Sequence, residues 1–290
     1  MGEDAVLADK MSRGELHKPK TSFQKYQEEE TLKSSQLDQQ QQQGYFTRPA
    51  KNYPDHIPLY NFEKLLLIFG SSVGAFLDPS RNEFIVGLGE STALPWFLNN
   101  LRRQMLSDLV GRQILKDRPH MTSTSLNLEE LRNKYPKNSI GHAYIMWLDR
   151  EGVSPDTREK VRYIDDEELA FIFRRYRECH DFYHTITGLP IVREGEIALK
   201  CFEFLNLGIP MAGLGALFAP WNTSLKQRSR LFNIYYPWAF KNGLHCKPLI
   251  NVYWEKILDR DIDEFRKEIN LEKPPDLREL RKQQKLKHKK

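Results

Sequence analysis

Apolar residues recur at three- and four-residue steps along most of the chain, and period-two alternation is rare. Helices are therefore expected and strands should be few. The polar start gives way near His56. Pro58 suits a helix start, and Tyr60, Lys64 and Leu67 follow at helical spacing. A second run leads from Thr92 through Leu98 to Leu101, Met105, Leu106 and Leu109. Gly111 does not break it; Ile114 and Leu115 continue it until Pro119. Residues 139–148 read as a buried helix, and Ser154 before Pro155 as a helix-start or turn signal. Gly87, Leu88 and Gly89 lack the remaining residues of a dinucleotide or P-loop motif and read as a turn. The predicted fold is all-α.

The most informative stretch is residues 165–188. Acidic residues open it, as the helix dipole favours, and Gly188 followed by Pro190 stops it. Leu169, Phe173, Tyr176, His180 and His184 fall along one stripe. A short connection leads to a second helix over residues 193–206, so the two should pack as an antiparallel hairpin.

Composition divides the chain into three expected regions. Residues 1–54 form a polar, flexible segment with a tract from Gln39 to Gln43, residues 55–270 a helical domain, and residues 271–290 a basic tail. The formal net charge is +5, and much of the excess lies in the tail. Such a tail can meet anionic surfaces, but it is equally a solvated helix end, and no nucleic-acid partner is inferred. Cys179, Cys201 and Cys246 have no Cys-x-x-Cys spacing, which argues for a reducing compartment rather than a disulfide framework. No apolar run is long enough to cross a bilayer. The acidic start, Met1 to Val6, does not resemble an Arg-rich transit peptide.

Chemistry concentrates in the hairpin. With His180 at zero, His184 lies at about 40° and Asp181 at about 100° around the helix. Two imidazoles on adjacent turns and a carboxylate beside them can face one metal ion. Glu196, at the start of the second helix, should point back toward the histidines. The expected ligand set is His180, Asp181, His184 and Glu196. Two imidazoles and two carboxylates suit Zn²⁺, Fe²⁺, Mn²⁺ or Co²⁺ and do not choose among them. The alternative is a pair of packed histidines, but four polar groups beside an apolar stripe are costly to bury with nothing to coordinate. A metalloprotease would need Glu where Asp181 stands. A His-Asp phosphohydrolase would need further ligands, for which nothing singles out His142 or Asp259.

His-Asp-x-x-His, then eleven residues, then Glu resembles the signature of the coenzyme Q biosynthesis protein family conventionally numbered four. The resemblance extends over residues 7–16, 60–67, 89–95, 153–158 and 247–255, nearly end to end, and is strongest to fungal members. It implies a helical fold and a zinc ion at the four residues above. It also implies C1-decarboxylation of a polyprenylated 4-hydroxy-3-methoxybenzoate to a 2-methoxy-6-polyprenylphenol; the sequence does not choose between this plain step and an oxidative decarboxylation. A peripheral position on the matrix face of the mitochondrial inner membrane is implied as well, within a multi-enzyme complex of coenzyme Q biosynthesis; a homo-oligomer is compatible with this. The alternative is a non-catalytic scaffold that binds prenylated intermediates and organises that complex. The basic presequence expected of such a protein does not appear. For the prenyl tail, residues 205–221 offer an apolar path rich in small residues, or else a tightly packed kinked core helix. Lys226, Arg228 and Arg230 follow and are expected at lipid headgroups.

Overall fold

The computed structural model describes residues 48–78 and 81–277. The glutamine tract, the motif at 7–16 and the basic tail from Arg278 onward lie outside them. The helices below all belong to the unit Ala50–Lys290. Among the described residues every regular element is helical, and one isolated bridge joins Ser139 to Asp261.

Helix α1 (Asn61–Leu77) lies against α2 (Asn82–Thr92). Gly74 permits their close approach, since a Cβ there would sit 2.6 Å from the Phe84 ring. Next come α3 (Pro95–Ser107), α4 (Leu109–Asp117), α5 (Leu128–Asn133) and α6 (Ile140–Glu151). Two expectations fail here. Gly87–Gly89 is not a turn but lies within α2, where a Cβ on Gly89 would meet the Phe173 ring at 3.2 Å. The run past Gly111 is not one helix, because Asp108 turns extended and caps α4, accepting from Val110 N and Gly111 N. The first helix also begins three residues beyond Pro58, capped by Tyr60.

Helix α7 (Glu167–Thr187) is buried on nearly all sides, as a central helix must be. Asp166 caps its start by accepting from Leu169 N at 2.9 Å, and Glu167 and Glu168 occupy the first turn. Gly188 ends it in the left-handed region at φ 76°. Its faces are filled by stacked rings: Tyr144 on Phe182 at 3.9 Å, Phe182 on Trp254 at 4.9 Å, and Trp147 on His184 at 5.1 Å. On α12 (Ile262–Glu268), Arg266 donates to the carbonyls of Ile186 and Thr185, satisfying the last turn beside His184.

Helix α8 (Arg193–Leu207) follows the Leu189–Pro190 turn, and then come α9 (Pro210–Phe218), α10 (Leu225–Arg230) and α11 (Tyr236–His245). The apolar segment 205–221 is not one kinked helix: Gly208, at φ 70°, ends α8, and Pro210 opens α9 at its first turn. Met211, Ala212 and Ala216 of α9 are buried, whereas Leu217 and Phe218 are exposed. The segment is thus partly core and partly surface.

Candidate metal centre and its cavity

Two helices carry facing ladders. On α7, Tyr176, His180 and His184 follow at four-residue steps; on α8, Glu196, Lys200 and Glu203 follow at four and three. At about 100° per residue, each set occupies one stripe. The rungs meet in antiparallel order. His184 Nε2 lies 3.0 Å from Glu196 Oε1, and His180 Nε2 lies 3.4 Å from Glu196 Oε2. His180 Nδ1 lies 2.6 Å from Glu203 Oε1, and Tyr176 Oη donates to Glu203 Oε2 at 3.0 Å.

The partners behind the rings determine which nitrogen faces forward. The Leu189 carbonyl, 3.0 Å from His184 Nδ1, can only accept. The Glu203 carboxylate does the same at His180 Nδ1. Lys200 Nζ also approaches His180 Nδ1, but at 3.4 Å against 2.6 Å for the carboxylate. Each Nδ1 is thus placed to donate, and both Nε2 atoms converge on Glu196. Donor atoms of His180, His184 and Glu196 lie within 4.8 Å of one another. Two ring nitrogens and a carboxylate facing one point need a cation there, a proton or a metal. This donor set fits a divalent metal.

Asp181 stands apart from that group. It lines the same cavity, but Arg158 Nη2 donates to its Oδ1 at 2.5 Å, and it is not one of the three convergent residues. The physical reason is the step of about 100° from His180, which turns Asp181 toward Arg158 on the segment that precedes the helix, just after the 3-10 turn Pro155–Thr157. His142 and Asp259 do not join the group either.

Four residues of the site were absent from the expected set: Glu203, Lys200, Tyr176 and Arg158. Glu203 is fully buried, and Lys200 Nζ donates to its Oε2 at 2.7 Å. Burial alone would raise the Glu203 carboxyl, but the charges of Lys200 and His180 outweigh it and hold it down at about 2. Lys200 shows the converse: burial would lower it, yet Glu203 keeps its ammonium above the ordinary lysine range. Burial likewise opposes ionisation of Glu196, but its bonds to His180 and His184 prevail and hold it well below the usual carboxylate value. His180 is raised, because Glu203 and Glu196 together overcome burial and the repulsion of Lys200. Cys179 takes no part. Its thiol is wholly buried, and burial pushes it up to about 12.

The group opens onto a cavity of about 1090 Å³. Helices α7 and α8, with Arg158, supply its charged lining. Helices α1, α2 and α9 supply apolar side chains, among them Phe69, Val73, Ile85, Met211, Leu214 and Phe218. Leu65, Leu66, Phe69 and Leu77 of α1, the last two at the cavity's edge, and Trp221 after α9 are 60% or more exposed, a density unusual for a surface wholly in water. Asn222 Nδ2 donates to the Phe76 carbonyl at 3.2 Å and ties the two regions together. Two of the cations expected at headgroups are already engaged. Arg230 forms a fork with Glu194 at 2.7 and 2.5 Å, and Arg228 donates to the carbonyls of Pro220, Trp221 and Thr223.

Comparison with known proteins agrees with this architecture. The chain is 65% identical to the mitochondrial ubiquinone biosynthesis protein COQ4 of Komagataella phaffii over 289 residues, covering 100% of this chain and 91% of that one. It is 61% identical to the protein of the same name from Debaryomyces hansenii, covering 97% of this chain and 84% of that one. A crystallised protein from Nostoc punctiforme shares the fold at a TM-score of 0.58 and 19% identity, over 73% of this chain and 98% of that one. Residues 53–275 match the family described as coenzyme Q (ubiquinone) biosynthesis protein Coq4. With the matched stretch spanning the hairpin, the convergent histidines and the cavity, this chain belongs to that Coq4 family.

Proposed function

We propose that the chain is a metal-dependent C1-decarboxylase of a polyprenylated 4-hydroxy-3-methoxybenzoate in ubiquinone biosynthesis. The observation that carries this reading is a single cavity of about 1090 Å³ lined both by the convergent His180, His184 and Glu196 and by apolar side chains of three helices. An anionic aromatic head and a long hydrocarbon tail match those two linings.

His180, His184 and Glu196 would hold the metal. Asp181 would join them as a fourth ligand by exchanging Arg158 for the ion. Zinc is the metal the family resemblance implies, and the donors suit Fe²⁺, Mn²⁺ or Co²⁺ equally. When bound, such an ion supplies Lewis-acid charge for the carboxylate or ring oxygens of the substrate. Arg158, Arg177 and Lys200 also line the cavity, each facing a carboxylate of the protein, Asp181, Glu90 and Glu203 in turn. The apolar walls take the tail and exclude water from the ring. In the plain reaction the bond from C1 to the carboxylate breaks and a bond from C1 to hydrogen forms, so one proton enters per CO₂ released. An oxidative route would instead form a C1–O bond as the bond to the carboxylate breaks, one O₂ giving the 1,4-quinone, CO₂ and water.

The relatives named above are mitochondrial by name, and no described helix is long and apolar enough to cross a membrane. We place the chain at the matrix face of the inner membrane, in contact through α1 and the end of α9, alongside other enzymes of the pathway. The exposed apolar face of α1 also favours a second reading, a scaffold that gathers prenylated intermediates and partner enzymes without catalysis. Incubating metal-loaded protein with a short-chain prenylated hydroxymethoxybenzoate separates the two. Formation of the decarboxylated phenol supports the enzyme; unchanged substrate at full metal occupancy rejects it.

A further inference from the structure

Behind His180, on the side away from the convergent donors, sits a fully buried carboxylate whose two oxygens are both engaged. Glu203 Oε1 faces His180 Nδ1 at 2.6 Å. Its Oε2 accepts from Tyr176 Oη at 3.0 Å and from Lys200 Nζ at 2.7 Å. Glu203 has no exposed surface, whereas Lys200 keeps 18% of its side chain accessible. A carboxylate is expensive to bury, and an adjacent cation and two further donors offset that cost. Its placement is specific: of the two nitrogens of His180, only Nδ1 meets it, while Nε2 is left to face Glu196.

We infer that Glu203 is the positioning residue of the centre: it fixes His180 as the Nδ1–H tautomer so that Nε2 is the ligand atom, with Tyr176 and Lys200 locking its carboxylate in place. This rests on the metal reading proposed above and deepens it. The free ring can carry its proton on either nitrogen, and only one of the two forms presents an electron pair to a metal beside Glu196. An acceptor behind the ring selects that form, holds the ring plane and makes the forward nitrogen a stronger donor. His184 reaches the same state by different means, through the backbone carbonyl of Leu189. That carbonyl is fixed by the chain path and cannot be removed by a side-chain substitution. Glu203 can, so the two histidines should respond differently to mutation of their surroundings. Lys200 has a second consequence. It neutralises Glu203, so this carboxylate adds no net charge to that of the ligands.

The test uses the full chain stripped of metal and titrated with Co²⁺ or Zn²⁺ alone. Glu203→Met removes the charge and the acceptor together at similar length, where a Gln carbonyl would still accept from Nδ1–H, but it leaves Lys200 buried without its anion. The double variant K200M/E203M removes both charges and keeps the pocket neutral. Both variants should lose about 10- to 100-fold in metal affinity, as removal of an outer-shell partner does. In the stripped protein, at a pH high enough for the ring to be neutral, the ¹⁵N shifts of His180 should move from a single Nδ1–H tautomer in the wild type to a mixture in the variants, with His184 unchanged. Unaltered affinity and an unaltered His180 tautomer in a folded double variant would overturn the inference. So would an affinity loss shared by a variant whose His180 stays wholly Nδ1–H. If the wild type takes up neither metal, the metal reading fails by itself, and the tautomer measurement still decides whether Glu203 sets the ring.

Discussion

At the scale of single residues, the site is a set of electron-pair donors held by what lies behind them. His180→Ala or His184→Ala removes a donor outright. Each should lower metal affinity by more than the roughly 10- to 100-fold expected for loss of an outer partner, measured by calorimetric titration of stripped protein. The carboxylates give the metal-free chain a defined acid sensitivity. Glu203 falls from 4.5 in the unfolded chain to about 2 when folded, so its stabilisation is complete above pH 4.5 and is lost as pH falls toward 2. Denaturant midpoints measured down that range should drop steeply in the wild type and less in K200M/E203M. The convergence of His180, His184 and Glu196 was legible, because a period of about 3.6 residues aligns the histidines and the short connection turns Glu196 back toward them. What sequence alone did not settle was Asp181's allegiance, since Arg158 lies on a separate segment 23 residues away. Glu203 carried a readable signal: it stands seven residues after Glu196, within about 20° on the same helix face.

At the scale of elements, the short turn between α7 and α8 sets the distance between the histidines and Glu196. Gly195 is what lets α8 begin there. A Cβ on it would lie 2.1 Å from the Pro190 carbonyl oxygen, so even the smallest side chain forces α8 to shift. Gly195→Ala should therefore lower the melting temperature and weaken metal binding together, at a cost of about 1–3 kcal/mol in stability. A variant with native stability and native affinity would show that the turn has slack the contact distance denies. The hairpin itself was legible, because the acidic first turn, Gly188 and Pro190 are local signals. The breaks at Asp108 and Gly208 were not. Apolar periodicity continues through both, and only the cap at Asp108 and the positive φ at Gly208 interrupt the helices. Helix α2 was missed for the opposite reason: its glycines weaken the pattern, yet Gly89 lets Phe173 pack closely and Gly87 does the same for Ser71 of α1.

At the scale of the whole molecule, an apolar-walled cavity and an exposed apolar helix are continuous, since Phe69, Val73, Phe76 and Leu77 of α1 line the one and belong to the other. A hydrocarbon tail entering from a bilayer would meet no aqueous gap. Removing large apolar side chains from this face, as in Leu66→Ser with Phe69→Ser, should reduce sedimentation with anionic vesicles by at least about tenfold, given some 1.5–3 kcal/mol per side chain buried. Because Arg228 and Arg230 are committed within the protein, added salt should weaken that binding less than the apolar substitutions do. Retention of vesicle binding in the double variant would mean that another face meets the membrane. The presence of a cavity could not be read from sequence, because its lining comes from segments more than a hundred residues apart. The most direct measurement is product formation. Metal-loaded, chelator-stripped and reloaded protein, together with the His184→Ala variant, would be incubated with a short-chain prenylated 4-hydroxy-3-methoxybenzoate and analysed by mass spectrometry. Catalysis at this centre predicts the decarboxylated phenol from loaded and reloaded protein, and none from the stripped protein or the variant. Equal product from protein without detectable metal, or none from fully loaded wild type, would contradict it.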